Sequence, residues 1–202
     1  MTDQTQTSTH GPAVEQIVEL SDAELLKGMW TADDLRRQVD LADRHLWVAI
    51  ADGDDVVYRE LETQDDAEIG REVLGFTLTC VHTYEELDAE LQVPVGELFD
   101  REDCPVGMFK SLVVKPSARD RRIGTELGLR AIGETFVEDD RVDEAIAVAW
   151  VREHNSANLA LVETYGELVA EYDEYYGEGR DCPECPGENY CGCTFRIYRA
   201  PF

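Results

Sequence analysis

The stretch LVVKPSARDRRIGTELGLRAI, Leu112 to Ile132, decides how this chain is read. The protein carries 44 Asp and Glu against 18 Lys and Arg, yet Arg119, Arg121 and Arg122 fall within four consecutive positions here. The run before them, MFKSLVVKP, has the apolar content of a strand and stops at Pro116, which has no N–H for a ladder and restricts Lys115 before it. A turn, SARD, follows. Helical periodicity then places Ile123, Leu127 and Ala131 on one stripe, with Leu129, Ile132 and Phe136 widening it. Strand, turn and helix start thus bring unpaired helical N–H groups and three guanidinium groups to one point, which is the composition of an anion site. Gly124 would let a phosphate approach the backbone, having no Cβ to hold it away. A ladder of opposite charges, Arg122, Glu126, Arg130 and Glu134 at four-residue spacing, accounts for Arg122 and Arg130 without any ligand, but not for Arg119 and Arg121.

Outward from this stretch, the pattern predicts a mixed α/β sheet flanked by helices. Residues 1–12, Thr- and Gln-rich, read as a tail, and residues 13–202 as a single domain. SDAELLKGMW and TADDLRRQVDLADRH each open with Ser or Thr and acidic residues, as capped helices do. LWVAIADGDDVVYRELE places apolar residues on both sides of an Asp-Gly turn signal, and REVLGFTLTCVHTY continues as a strand. Residues 84–107 are acidic, carry Pro94 and Pro105, and form an excursion with a short helix in YEELDAEL. DEAIAVAWV is the next strand, HNSANLALVETYG a helix ended by Gly166, and ELVAEYDEYY and CTFRIYRA are the closing strands.

Two of these motifs resemble the GNAT N-acetyltransferase superfamily. Its acetyl-coenzyme A motif runs strand, Pro, turn, then Arg or Gln-x-x-Gly-x-Gly or Ala at a helix start. Leu112-Val113-Val114-Lys115-Pro116 matches the first part and Arg119-Asp120-Arg121-Arg122-Ile123-Gly124 the second, with Arg122 where the family usually has glycine. Asn155, followed eleven residues later by Gly166, matches a second family motif, and together the matches cover roughly residues 109–175. The resemblance implies central strands that splay apart near Lys115 and Val151 to admit pantetheine. It further implies that Leu112, Val113 and Val114 line the arm, that the loop from Arg119 through Asp120, Arg121, Arg122, Ile123 and Gly124 to Thr125 binds pyrophosphate, and that Asn155 contacts pantetheine. A strand that has lost its partner needs other hydrogen bonds, and an amide-rich arm supplies them.

The implied reaction is acetyl transfer from acetyl-coenzyme A to an amine by direct attack in a ternary complex, which needs a base for the amine proton and an acid for the departing thiolate. Several family members use a Glu five residues before the Asn and a Tyr seven after it; here those positions are Trp150 and Val162, and Trp150 in the slot could instead shape an acceptor pocket. The remaining candidates are Tyr165 as acid and His154 as base, with His82, Glu85 and Glu86 behind them. The missing pair also admits another class, a noncatalytic acyl-coenzyme A sensor or a zinc-stabilised interaction module.

RDCPECPGENYCGCTF places Cys182, Cys185, Cys191 and Cys193 as Cys-x2-Cys-x5-Cys-x-Cys, a set able to close a structural tetrahedral zinc site at the last hairpin. Two disulfides are the competing reading, and a reducing cytoplasm opposes them. Cys80 reads as a small buried hydrophobe and Cys104 as a loop residue.

A formal charge of -26 excludes nonspecific association with nucleic acid and with anionic membranes. The near absence of lysine, only Lys27, Lys110 and Lys115, beside acids spread over every segment points to a halophilic-archaeon type of protein in a salt-rich cytoplasm. No apolar run of membrane-spanning length and no leader pattern occurs, so a cytoplasmic protein is expected. Its partners are expected to be acetyl-coenzyme A and an amine, with room for a homodimer.

Overall fold

A computed structural model describes residues 12–25, 28–62, 70–91, 93–151, 156–173 and 194–201. In chain order these form α1 (Ala13–Glu24), α2 (Ala32–Val39), β1 (Arg44–Asp52), β2 (Asp55–Glu60), β3 (Val73–His82), α3 (Tyr84–Leu91), β4 (Val106–Val114), α4 (Ile123–Arg130), β5 (Glu144–Val151), α5 (Ser156–Tyr165), β6 (Glu167–Asp173) and β7 (Thr194–Pro201). The strands make one 7-stranded mixed sheet in the order β2-β1-β3-β4-β5-β7-β6. Two compact units divide the chain, the first running to Thr77 and resuming over Val113–Leu127, the second comprising Leu78–Leu112 and everything from Gly128.

In the first unit, α1 begins at Ala13 and not near the expected Ser cap, because Val14, Ile17 and Leu20 already repeat at helical spacing and are buried. Ser21 lies inside that helix, fully buried. The second expected helix keeps its predicted cap: Asp34 N–H donates to Thr31 Oγ1 at 3.1 Å and Thr31 N–H to Asp34 Oδ2 at 3.1 Å, satisfying two donors that a helix start leaves orphaned. β1 and β2 form the expected hairpin, with Asp52 opposite Asp55 and Gly53 at φ 64°, a left-handed position that costs glycine nothing. Gln16 of α1 clamps the entry to β3, donating to the Arg71 carbonyl at 2.9 Å and accepting from Val73 N–H at 2.9 Å.

In the second unit the acidic excursion is a packed layer rather than an open loop, and it ends where β4 starts at Val106. Thr83 and Glu86 cap α3 reciprocally, Thr83 N–H donating to the Glu86 carboxylate at 2.9 Å. Leu87, Leu91, Val95 and Phe99 of this layer pack against Cys80, Met108, Ile146 and Ile197 of the sheet. Each fully buried leucine of that layer contributes roughly 1.5–3 kcal/mol by leaving water, which outweighs the acidity of the exposed positions between them. Lys110 of β4 reaches Glu90 of α3 at 2.9 Å. Arg199 of β7 sits 5.2 Å from the Phe99 ring and pairs with Glu144 and, at 3.7 Å, with Asp103.

On the opposite face of this unit, Phe136, Val142, Val81 and Ala145 form a second cluster, with Phe109 edge-on to Phe136 at 5.5 Å. After Arg130 the helix widens into a π-helical stretch, Ala131–Val137, which places Phe136 five residues beyond Ala131 on the buried side. Leu129 does not join the stripe as expected. It is 50 % exposed, since two residues beyond Leu127 a helix has turned past its far side.

Candidate functional site

The sheet opens at its centre. In the second unit β4 and β5 pair in parallel only as Gly107 with Ala145, Met108 with Ile146 and Phe109 with Ala147. β5 nevertheless stays paired with β7 over its whole length, from Glu144 opposite Pro201 to Val151 opposite Thr194. The β4–β5 register therefore stops midway while both strands run on, β4 to Val114 and β5 to Val151. Gly107 begins the paired stretch: a Cβ there would meet the Phe136 ring at 2.7 Å, so the aromatic ring seats against the bare backbone.

In the first unit, the end of β4 is held on β3, where Lys115 N–H donates to the Leu74 carbonyl at 2.8 Å and Lys115 Nζ pairs with Glu72. The chain then makes a single 3-10 turn, Pro116–Ala118, and enters α4 through Asp120 at φ 64° and Arg122 at φ 61°. Two left-handed residues in one loop are unusual outside glycine, and each non-glycine residue so held costs about 1 kcal/mol or more, asparagine and aspartate least. The position where the family pattern calls for glycine is thus left-handed in this chain, and arginine occupies it.

The three arginines have different tasks. Arg119 pairs with Glu24 of α1 and donates Nε–H to the Val114 carbonyl at 3.3 Å. Arg121 donates to the Asp54 carbonyl in the β1–β2 turn at 3.3 Å. Arg122 is exposed and its guanidinium has no partner among the described residues. Sequence reasoning missed Glu24 and the Asp54 carbonyl, whose places depend on how α1 and the hairpin pack; no local signal carries that information. The charge ladder forms in its second half only: Arg130 reaches Glu134 at 3.1 Å, while Arg122 meets Glu126 through the backbone, Glu126 N–H to the Arg122 carbonyl at 3.0 Å.

Arg122→Gly should leave the melting temperature unchanged or raise it, because relief of left-handed strain outweighs the roughly 0.4–1 kcal/mol that glycine adds to unfolded-chain entropy. The same change should weaken coenzyme A binding about tenfold, the scale of one charge-assisted hydrogen bond to phosphate. Calorimetric titration beside a thermal melt reads both, and undiminished affinity would show the side chain pointing away from the phosphates.

Of the remaining candidates, Tyr165 ends α5 and is 58 % exposed, so it is not packed on the sheet. His82 is buried, with its Nε2 3.0 Å from Cys80 Sγ, and Glu85 and Glu86 are engaged with Arg101 and Thr83; these three have structural partners. Cys80 is fully buried as expected, while burial and the neighbouring Asp103 carboxylate push the Cys104 thiol upward in pKa. His154, Asn155, Cys182, Cys185, Cys191 and Cys193 lie outside the described residues, among which no His, Cys, Asp and Glu group is arranged to hold a metal. The cysteine segment does have a described frame. Asp173 stands opposite Thr194 in the β6–β7 register, with Thr194 Oγ1 donating to Asp173 at 2.9 Å, and Thr194 in turn faces Val151.

No family model and no curated protein matches the sequence. Solved structures do match. Arabidopsis thaliana NAA60 in complex with acetyl-CoA aligns with a TM-score of 0.63 at 12% identity, over 94% of this chain and 93% of that one. Chaetomium thermophilum Naa20 in complex with a bisubstrate analogue aligns with a TM-score of 0.57 at 13% identity, over 92% and 80%. The ribosomal-protein-S18-alanine N-acetyltransferase from Escherichia coli aligns with a TM-score of 0.52 at 13% identity, over 93% and 86%. At such identities the likeness speaks for architecture, and together with the strand order and the midway end of the β4–β5 register it shows that this chain has the GNAT acetyltransferase fold.

Proposed function

We propose that this protein is an N-acetyltransferase that moves the acetyl group of acetyl-coenzyme A to an amine. The observation that carries the reading is the β4–β5 register ending at Phe109 and Ala147, which leaves strand edges for the amides of a pantetheine arm. β4 runs on through Leu112, Val113 and Val114 into the loop from Arg119 to Thr125, where α4 N–H groups and Arg122 suit the pyrophosphate. That NAA60 has been seen with acetyl-CoA, and Naa20 with a bisubstrate analogue, on the same fold supports this assignment.

The neutral amine attacks the thioester carbonyl, the carbon–sulfur bond breaks as the amide forms, and the amine proton leaves to a base while the thiolate gains one. His154 is the proposed base and Tyr165 the proposed acid; Asn155 holds the pantetheine arm. Among the described residues no helix is long and apolar enough to cross a membrane, and we place the protein in the cytoplasm. Incubation with acetyl-coenzyme A and a panel of amines, following free thiol, is the test. Acetyl-coenzyme A binding with no thiol release from any amine would favour the sensor reading.

Two further properties belong to this reading. Four cysteines in a segment tethered where β6, β7 and the end of β5 meet suit a closed zinc site of structural role. Freshly isolated reduced protein should hold about one zinc per chain, and Cys185→Ser should lower metal content while leaving coenzyme A affinity nearly unchanged. Absence of zinc with two disulfides would overturn this. The halophilic reading predicts a lower melting temperature at low salt. Exposed pairs such as Arg36 with Asp33 strengthen there by at most a few tenths of a kcal/mol each, whereas repulsion within a net charge of -26 gains range as the Debye length grows from about 3 Å at 1 M to 30 Å at 0.01 M. A salt-independent melt would contradict it.

A further inference from the structure

Three aromatic side chains stand in one row across the second unit. Trp150 of β5 is in register with Phe195 of β7, and Phe195 is in register with Tyr172 of β6. Strand alternation places Trp150 on the same face as Ile146 and Val148, and that face is the one covered by the α3 layer, against which Tyr172 and Phe195 also pack. All three rings are half-buried, whereas Ile146 and Ile197, deeper under the layer, are closed off. The row therefore lies at the margin of the layer. Trp150 is also three positions past Ala147, the last β5 residue in register with β4, so the row begins on the strand that borders the opening.

We propose that the Trp150–Phe195–Tyr172 row selects the acceptor, a primary amine whose adjacent carbon carries a bulky apolar or aromatic group. This rests on the acetyltransferase reading, which puts the thioester in the opening beside Trp150. An attacking nitrogen must come within about 3–3.5 Å of the carbonyl carbon, so the carbons attached to it fall against whatever borders the opening. Rings in a row offer apolar area to that group and π faces to the amine while it is still an ammonium. The rim adds charge: Glu97 is exposed on the same layer, and after burial its carboxylate is the second cause that raises the Tyr172 phenol pKa, which puts negative potential beside the row. A chain of net charge -26 repels an anionic acceptor in the same sense.

Titration of the full-length protein with 2-phenylethylamine and with ethylamine, coenzyme A present, tests this without requiring turnover. The intact protein should bind 2-phenylethylamine at least tenfold more tightly, the preference should vanish in Trp150→Ala and largely survive in Trp150→Phe, and coenzyme A affinity should move less than about threefold in both. Equal binding of the two amines by the intact protein, or a preference untouched by Trp150→Ala, overturns the proposal. Should Trp150→Ala fail to fold, Tyr172→Ala at the other end of the row takes its place and must lower the preference. A peptide beginning with Phe, set against one beginning with Gly, shows whether the same chemistry is presented by a free amine or by a chain terminus. Thiol release separates catalysis from acceptor selection: Trp150-dependent binding without turnover removes the catalytic reading and keeps the row as an amine site, whereas turnover indifferent to the amine's apolar group does the reverse.

Discussion

Gly124→Val should reduce coenzyme A affinity by about a hundredfold or more, close to 2.7 kcal/mol, while the fold survives. Gly124 is the second residue of α4, where the first-turn N–H groups are free to meet an anion. A Cβ placed there meets only Val114 Cγ2, at 3.4 Å, which is ordinary van der Waals contact, so the protein itself tolerates a side chain. Helix propensity favours the change as well, since glycine is the poorest ordinary residue in a helix by up to about 1 kcal/mol. Stability and affinity should consequently move in opposite directions, a signature that misfolding cannot imitate. Gly124→Ala should show the same signs with a smaller loss of affinity. The paired measurement is a thermal melt and a titration with coenzyme A and with pantetheine: the variant should lose the advantage that the phosphates give and bind pantetheine as before. A valine variant that binds coenzyme A as tightly as the original would remove the loop from the proposed site.

The sequence carried those parts of this site that depend on local rules. Pro116 ends a strand wherever it occurs, and Thr31 with Asp34 caps a helix for reasons contained in four residues. The parting of β4 and β5 was legible only through family likeness, because nothing within VGMFKSLVV or EAIAVAWV specifies that a ladder stops after three pairs. Likewise the tasks of Arg119 and Arg121 are set by Glu24 and Asp54, distant in sequence, so a count of arginines overstated the charge left for phosphate. Ser21 shows the opposite failure: a good cap residue was overruled because apolar residues upstream had already set a helical period. Of the aromatic row only Trp150 was legible, as a residue able to shape an acceptor pocket; Tyr172 and Phe195 become its neighbours only when β7 is placed between β5 and β6.

Gly75→Ala should destabilise the fold by about 2–3 kcal/mol, the cost of forcing a methyl group into a packed core, and lower the melting temperature by roughly 4–12 °C. Every residue of β3 is buried, and a Cβ on Gly75 would stand 2.7 Å from the Val113 carbonyl oxygen and 3.3 Å from Leu127 Cδ1. The leucine tip can rotate away. The carbonyl cannot, because it belongs to the backbone of β4, one residue before Val114 receives the Arg119 hydrogen bond and two before Lys115 N–H bonds the Leu74 carbonyl. Relief requires this end of β4 to shift from β3, and with it the root of the phosphate loop, so coenzyme A affinity should fall along with stability. That joint loss contrasts with Gly124→Val, where affinity alone declines. Gly133→Ala is the matching control: a Cβ there meets nothing within 4 Å, so the change should be neutral or stabilising. Equal melting temperatures for Gly75→Ala and Gly133→Ala would mean that β3 and the end of β4 do not approach so closely, and the placement of the loop beside that strand end would have to be abandoned.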